Sequence, residues 1–327
     1  MSDINQTLNA VKASHPQLSS IIEEIRGIYD ELQMLINVAG KTCAADNPFI
    51  SKYPPGHFYS PIPDMAAIHK QEKRLFNSTG NNVPGVDLRA NAQLKFLDSL
   101  LPYYSSQPYA EHKLNGFRYY FDNSYFRHAD ATILHCLLRY LKPRKVIEIG
   151  SGFSSCIMLD TNEHFLNGSM NLKFIDPNPQ RLLENIRPED KKTASIIPCA
   201  LQDADMSLVS DLECGDILFI DSSHVLKIES ELNIILFEIL PTLKSGVYIH
   251  FHDIFYPFQY PRQWIKERRA WNEAYALQAF LQYNSAFEIV LFNNYLKMKH
   301  AEFLCNKIPH LIKSVGGSLW LRKCIDN

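Results

Sequence analysis

The chain predicts an α/β fold: a mainly parallel, seven-stranded sheet with helices on both faces, preceded by a helical and loop extension. Three observations lead there. From Lys145 onward, short apolar runs alternate with helical patterns, the signature of repeated β–α units. The first run, Val146-Ile147-Glu148-Ile149, leads into Gly150-Ser151-Gly152 and then a helical segment, a strand–turn–helix whose glycines let backbone approach a ligand. The last two runs are joined by a longer, less regular stretch containing Gly316-Gly317, which suits a hairpin-like antiparallel final strand.

In chain order, residues 16–38 come first. Leu18, Ile21, Ile22, Ile25, Ile28, Tyr29, Leu32, Leu35 and Ile36 recur at three- and four-residue steps, as on one face of an amphipathic helix. Pro16 suits its first turn and Ser14 its cap. Two roles stay open for it, packing on its own domain or forming the seam of a homodimer. From Asn47 to Gly85 prolines and aromatics dominate, as in Tyr53-Pro54-Pro55-Gly56-His57-Phe58-Tyr59, so ordered loop is expected. A second aromatic stretch, 117–126, precedes a helix expected over 130–141. Such rings line a substrate entrance in one reading and fill core in the other. The strand runs are 145–149, 172–175, 195–198, 216–220, 246–251, 287–293 and 318–322. The helical patterns between the first six fall at 153–165, 179–186, 204–212, 227–240 and 264–283.

Composition excludes several classes. With 46% hydrophobic and 21% charged residues, the 327-residue chain supports a large core. A net charge of −2 gives no electrostatic reason to expect a nucleic-acid partner. No run approaches the ~18 apolar residues of a membrane span. The beginning shows no basic region followed by an apolar segment, so no signal peptide is expected. Seven dispersed cysteines without a Cys-x-x-Cys pair fit reduced thiols, and a cytoplasmic location is the expectation.

The chemistry should lie at the carboxyl ends of the strands, where open parallel sheets bind ligands. Those ends carry Glu148 with Gly150-Ser151-Gly152, then Asp176-Pro177, Ala200-Leu201-Gln202-Asp203, Asp221-Ser222-Ser223-His224 and His250-Phe251-His252-Asp253. An acid ending the second strand suits a ribose diol, because a carboxylate accepts both hydroxyl protons. Asp221, ending a buried strand, needs a functional reason. His224 reads either as a base or as a first-turn residue of the next helix. His252 and Asp253 read either as ligands or as groups bonded to one another. His250, deeper on the same strand face, reads as a hydrogen-bonded core histidine.

Over about 130–327 the chain resembles the class I S-adenosylmethionine-dependent methyltransferases. The resemblance rests on Glu148-x-Gly150-x-Gly152, the acids ending strands two and four, and seven strands with a late hairpin. Ser155 stands where a dinucleotide fingerprint has its third glycine, which weakens a nicotinamide-cofactor reading. A nearer similarity is to the catechol O-methyltransferase-like branch, through Asp221 with His224 three positions on, His252-Asp253, and Ala200-x-Gln202-Asp203. Two departures are plain: His224 replaces a lysine base, and His252 replaces the first strand-five acid.

The resemblance implies a division into an extension, 1–125, and a cofactor-binding domain, 126–327. It makes Glu148, Gly150, Ser151, Gly152, Asp176, Gln202 and Asp221 the S-adenosylmethionine-binding candidates, with Gly150–Gly152 at the methionine part, Asp176 at the ribose and Gln202 near the adenine. His224, with Asp221, is the catalytic candidate, and Asp221, His252 and Asp253 are candidate ligands of Mg²⁺ or Mn²⁺. An imidazole in that set tilts the preference away from Mg²⁺. The expected reaction is methyl transfer to a hydroxyl of a small-molecule or glycan-like acceptor, with His224, titrating near neutrality, taking the proton. An aromatic loop at 255–261, with Trp264 and Trp271, is expected to form a lid. Asp221-Ser222-Ser223-His224 lacks the Asn/Asp-Pro-Pro-aromatic pattern of methyltransferases that act on amino groups of bases. The rival readings are a non-catalytic scaffold pairing through 16–38 and a nucleotide-dependent oxidoreductase.

Overall fold

Seven strands form one sheet in the computed structural model. The structure describes residues 11, 14–22, 24–25, 48–76 and 83–326. The strands are β1 (Lys145–Ile149), β2 (Asn171–Ile175), β3 (Ala194–Ile197), β4 (Ile217–Ile220), β5 (Tyr248–Phe251), β6 (Phe287–Phe292) and β7 (Leu319–Lys323). Their order across the sheet is β3-β2-β1-β4-β5-β7-β6, with β1 to β5 paired in parallel and β7 running antiparallel between β5 and β6. Strand order reverses at β1, which pairs with both β2 and β4. A crevice therefore opens at the carboxyl ends of those strands. The central strand β4 is apolar without alternation because both sheet faces are covered. Ile217, Leu218, Phe219 and Ile220 of β4 are all buried.

Four helices matter for the site. α1 (Ala90–Tyr104) packs on α2 (His128–Leu141) and on β6. Its buried Gln93 accepts the Phe292 N–H at 2.7 Å, so the helix closes a sheet-edge donor. α3 (Phe153–Phe165) follows the glycine turn, as the spacing predicts, and α4 (Glu273–Leu281) lies beyond β5. The pattern at 264–283 is broken in the structure into Arg262–Lys266 and α4, with Arg268 in the left-handed region between them. The stretch between β6 and β7 carries three short helices, Asn293–Lys299, Ala301–Lys307 and His310–Lys313.

By backbone contact the chain divides into two units, Met1–Ser78 and Thr79–Asn327. Residues 83–125, grouped by sequence with the extension, thus pack with the sheet. One reason is Arg118. Its buried guanidinium meets Asp160 of α3 at 2.8 Å and Glu163 at 2.6 Å, and also pairs with Asp190. Asp160 in turn accepts the backbone N–H groups of Arg118 and Tyr119. The 117–126 loop is therefore bolted to the helix that begins at the glycine turn.

In the first unit, the Pro/aromatic region expected as loop contains short helices at Pro48–Lys52, Met65–Lys70 and Glu72–Phe76. Asp64 caps the second, accepting the Ala66 N–H at 2.8 Å. Between the first two, Tyr53, His57 and Tyr59 pack ring on ring. Of the 16–38 helix, the turn Pro16–Leu18 and helical positions to 25 are described. Most of the predicted dimer face, 26–38, lies outside the described residues. Among the described residues no helix is long and apolar enough to cross a membrane, and Cys136, Cys156, Cys199, Cys214, Cys305 and Cys324 are free thiols.

Candidate active site

The glycine turn exists because β1 and β4 end side by side. Gly150 has φ +87°, and a β-carbon there would overlap the backbone carbonyl of Asp221. Asp221 N–H in turn donates to Ile149 O at 2.9 Å, so the two strand ends are stitched together at one height. Ser151 then donates its hydroxyl to Asp176 Oδ2 at 2.6 Å, and Asn178 N–H donates to Asp176 Oδ1 at 2.8 Å. These bonds fix the carboxylate at the end of β2 while leaving it half-exposed.

A cavity of about 660 Å³ lies over these strand ends. Gly150, Ser151, Asp176, Gln202, Asp221, His224, His252 and Asp253 all line it. Two expected cofactor residues do not. Glu148 is fully buried beneath the turn, with its two carboxyl oxygens accepting the hydroxyls of Ser154 and Ser155. Burial pushes its carboxyl up to about 8, against the pull of those two hydroxyls. Its role is to hold the first turn of α3 to β1. Gly152 sits behind the lining, against the Arg181 side chain. Gln202 reaches the cavity, yet its amide donates to the Glu229 carbonyl and so also ties the loop after β3 to the one after β4.

Across the cavity four side chains from β4 and β5 converge. His224 and Asp253 both adopt left-handed backbone angles, φ +61° and +59°, uncommon for non-glycine residues and frequent at functional sites. His224 Nε2 stands 3.6 Å from Asp221 Oδ1 and 3.7 Å from Asp253 Oδ2, and His252 Nε2 lies 3.6 Å from Asp253 Oδ1. On its other side, His224 Nδ1–H donates to Glu273 Oε2 at 2.7 Å. Trp271 packs its ring 4.3 Å from the imidazole centre. Glu273 is 1% exposed, and no sequence pattern singles it out.

Burial alone would depress the His224 imidazole. The hydrogen bond to Glu273 and the charges of Glu273, Asp221 and Asp253 outweigh it and push His224 up to about 9. This corrects the expectation of titration near neutrality: the resting ring carries its proton. His252 moves the same way, since burial depresses it but Asp221, Asp253 and Asp130 lift it further. His250 is the core histidine expected, fully buried against Ser318 Oγ at 2.9 Å and held well below the usual range by burial.

The metal set does not fit. A divalent ion needs its donors gathered about one centre at roughly 2.0–2.6 Å. Among the described residues no three His, Cys, Asp or Glu side chains are arranged to hold one. Instead His224 Nε2 stands within 3.7 Å of both Asp221 and Asp253. The lid is corrected too. Phe255, Tyr256, Phe258 and Tyr260 are buried, Tyr256 N–H donates to Asn294, and the 255–261 loop is core. Only Trp271 and Arg269 from that region reach the cavity. Tyr125 and Arg181, stacked at 3.7 Å, border it near the glycine turn.

The S-adenosylmethionine site does fit. A backbone turn that tolerates close approach and a pre-fixed carboxylate at the end of β2 line a cavity of ligand size. Sheet order, an antiparallel final strand and a glycine turn at the switch point together give the Rossmann-like methyltransferase fold. Residues 147–254 match the family model described as a methyltransferase domain. The chain is 35% identical over 164 residues to an uncharacterised protein of Archaeoglobus fulgidus, covering 49% of this chain and 74% of that one. Among solved structures it is similar to CmcI-N160 with SAH, at 18% identity, 65% and 83% coverage and a TM-score of 0.39. It is also similar to the SAH-bound Podospora anserina methyltransferase PaMTH1, at 10% identity, 80% and 97% coverage and a TM-score of 0.39. Residues 147–254 thus belong to the methyltransferase-domain family.

Proposed function

We propose that the protein methylates a hydroxyl of a small-molecule or glycan-like acceptor, with His224 as the base. The observation that carries this is the pairing of the His224 ring with Glu273 behind it, on the wall of the cavity shared with Gly150 and Asp176. When bound, the cofactor supplies an electrophilic methyl group on a cationic sulfonium. The chain's part is alignment and proton handling. Asp176 accepts the ribose hydroxyls, the Gly150–Ser151 backbone borders the methionine part, and Gln202 flanks the adenine. An acceptor hydroxyl placed beside His224 Nε2 passes its proton to the ring once the resting proton has left. Glu273 then balances the imidazolium that forms.

The test is calorimetric titration of S-adenosylmethionine, then an acceptor screen. Asp176→Ala should lose about ten- to a hundredfold in cofactor affinity, the value of charge-assisted hydrogen bonds. His224→Ala should bind cofactor normally and lose turnover. Absence of cofactor binding in the wild type would overturn the reading and bring the scaffold forward.

A further inference from the structure

We propose that Glu273 is a positioning residue that seats the His224 ring between Asp221 and Asp253, so that the ring occupies the space where the sequence placed a divalent ion. The seat is built from more than one bond. Glu273 Oε2 accepts from His224 Nδ1 at 2.7 Å, which fixes the tautomer and aims Nε2 at the two aspartates. The backbone N–H groups of Asn272 and Glu273 both donate to the His224 carbonyl, at 3.1 and 3.2 Å. The Asn272 side chain completes the grip, accepting the Leu226 N–H at 2.6 Å and donating to the Leu226 carbonyl at 3.1 Å. Trp271 closes one side of the ring. Residues 271–273 thus hold residues 224–226 by backbone, amide, carboxylate and ring at once, and this grip sustains the left-handed conformation of His224.

Two consequences follow from placement alone. The ring cannot swing out of the gap without breaking the bond to a carboxylate that is itself 1% exposed. An ion entering between Asp221 and Asp253 would have to displace it. The other Glu273 oxygen is buried and has no hydrogen-bond partner among the described residues, so the His224 ring is the side-chain counterpart of this carboxylate there. A chain that ends β4 in Asp-x-x-His and supplies this glutamate at the start of α4 therefore builds an organic bridge between its strand-four and strand-five acids. The seat stands on geometry; its catalytic meaning rests on the function proposed above, so the test is read on the ring and on metal, not on methyl transfer.

The experiment uses the full chain labelled with ¹⁵N-histidine, together with Mn²⁺ titration followed by water-proton relaxation. The His224 Nδ1 proton, assigned by its loss in His224→Asn, should be downfield and slow to exchange. It should persist in Glu273→Gln, whose amide oxygen still accepts, and vanish in Glu273→Ala. Wild-type protein should show no saturable Mn²⁺ binding at micromolar concentrations, and His224→Asn should bind at least about tenfold more tightly, as two freed carboxylates allow. Should Glu273→Ala fail to fold, the wild-type titration and Glu273→Gln still decide. Micromolar Mn²⁺ binding by the wild type that is lost in Asp253→Asn would overturn the proposal, as would an Nδ1 proton indifferent to Glu273→Ala. Calorimetry with S-adenosylmethionine, run in parallel, separates failure of this seat from failure of the methyltransferase reading.

Discussion

Gly150 and Asp221 share one point in space: the carbonyl of Asp221 lies where a side chain on Gly150 would begin. The turn that borders the cavity and the strand that carries the acidic wall are therefore packed with no room for a methyl group. Gly150→Ala combines that overlap with a positive φ. It should destabilise the chain by at least about 2–4 kcal/mol in urea unfolding. An unchanged midpoint would show that β1 and β4 can part without cost.

Arg118 offers a second stability test. Its guanidinium is buried among Asp160, Asp190 and the half-exposed Glu163. Arg118→Ala leaves two buried carboxylates uncompensated and should cost about 3–5 kcal/mol. Glu163→Ala, at the wet edge of the same cluster, should cost about 1 kcal/mol or less. Equal losses in the two variants would contradict this ranking.

Catalytic rate should respond to the His224 proton. Because the ring is raised to about 9, the neutral base is a minor form at pH 7. With His224 as base, kcat rises about tenfold per pH unit through neutrality and levels near pH 9. A rate that falls across that range would mean that the protonated ring is the active form.

Stability should run the other way. The Glu148 carboxyl rises from 4.5 to about 8 on folding, so the folded chain holds that proton more tightly than the unfolded one. Its contribution is complete below pH 4.5 and is lost as pH climbs through about 8. His224, raised from 6.5 to about 9, adds a loss of the same sign at higher pH. Glu148→Gln should flatten the decline between pH 4.5 and 8 and leave the alkaline part. Parallel melting curves for variant and wild type would show that Glu148 ionises alike in both states.

The sheet was legible because strand and helix periods alternate cleanly from Lys145 to Phe251, and the glycine turn marks the first crossing between them. Asp176, Asp221, His224, His252 and Asp253 were legible as strand ends, since topology alone brings strand ends together. Glu273 was not: it reaches His224 across 49 residues, through a turn at 267–272 that helical spacing at 264–283 conceals. The lid failed for a different reason. Aromatic residues have the same composition whether they cover a ligand or fill a core, and Phe258 and Tyr260 fill one. No element was expected over 90–104, and the spacing of Leu94, Leu97 and Leu101 gives no sign of which unit that helix joins.

The cavity draws its walls from the ends of β1, β2, β4 and β5 and from the segment before α4, so it has no existence apart from the assembled sheet. Occupancy and folding are therefore one equilibrium. A ligand at a hundred times its dissociation constant adds about 2.7 kcal/mol to the folded state. In a chain of this size that raises the melting temperature by several degrees. Heat alone can then rank candidate acceptors, through the extra degrees each one confers on the cofactor-loaded protein, before any product has been identified.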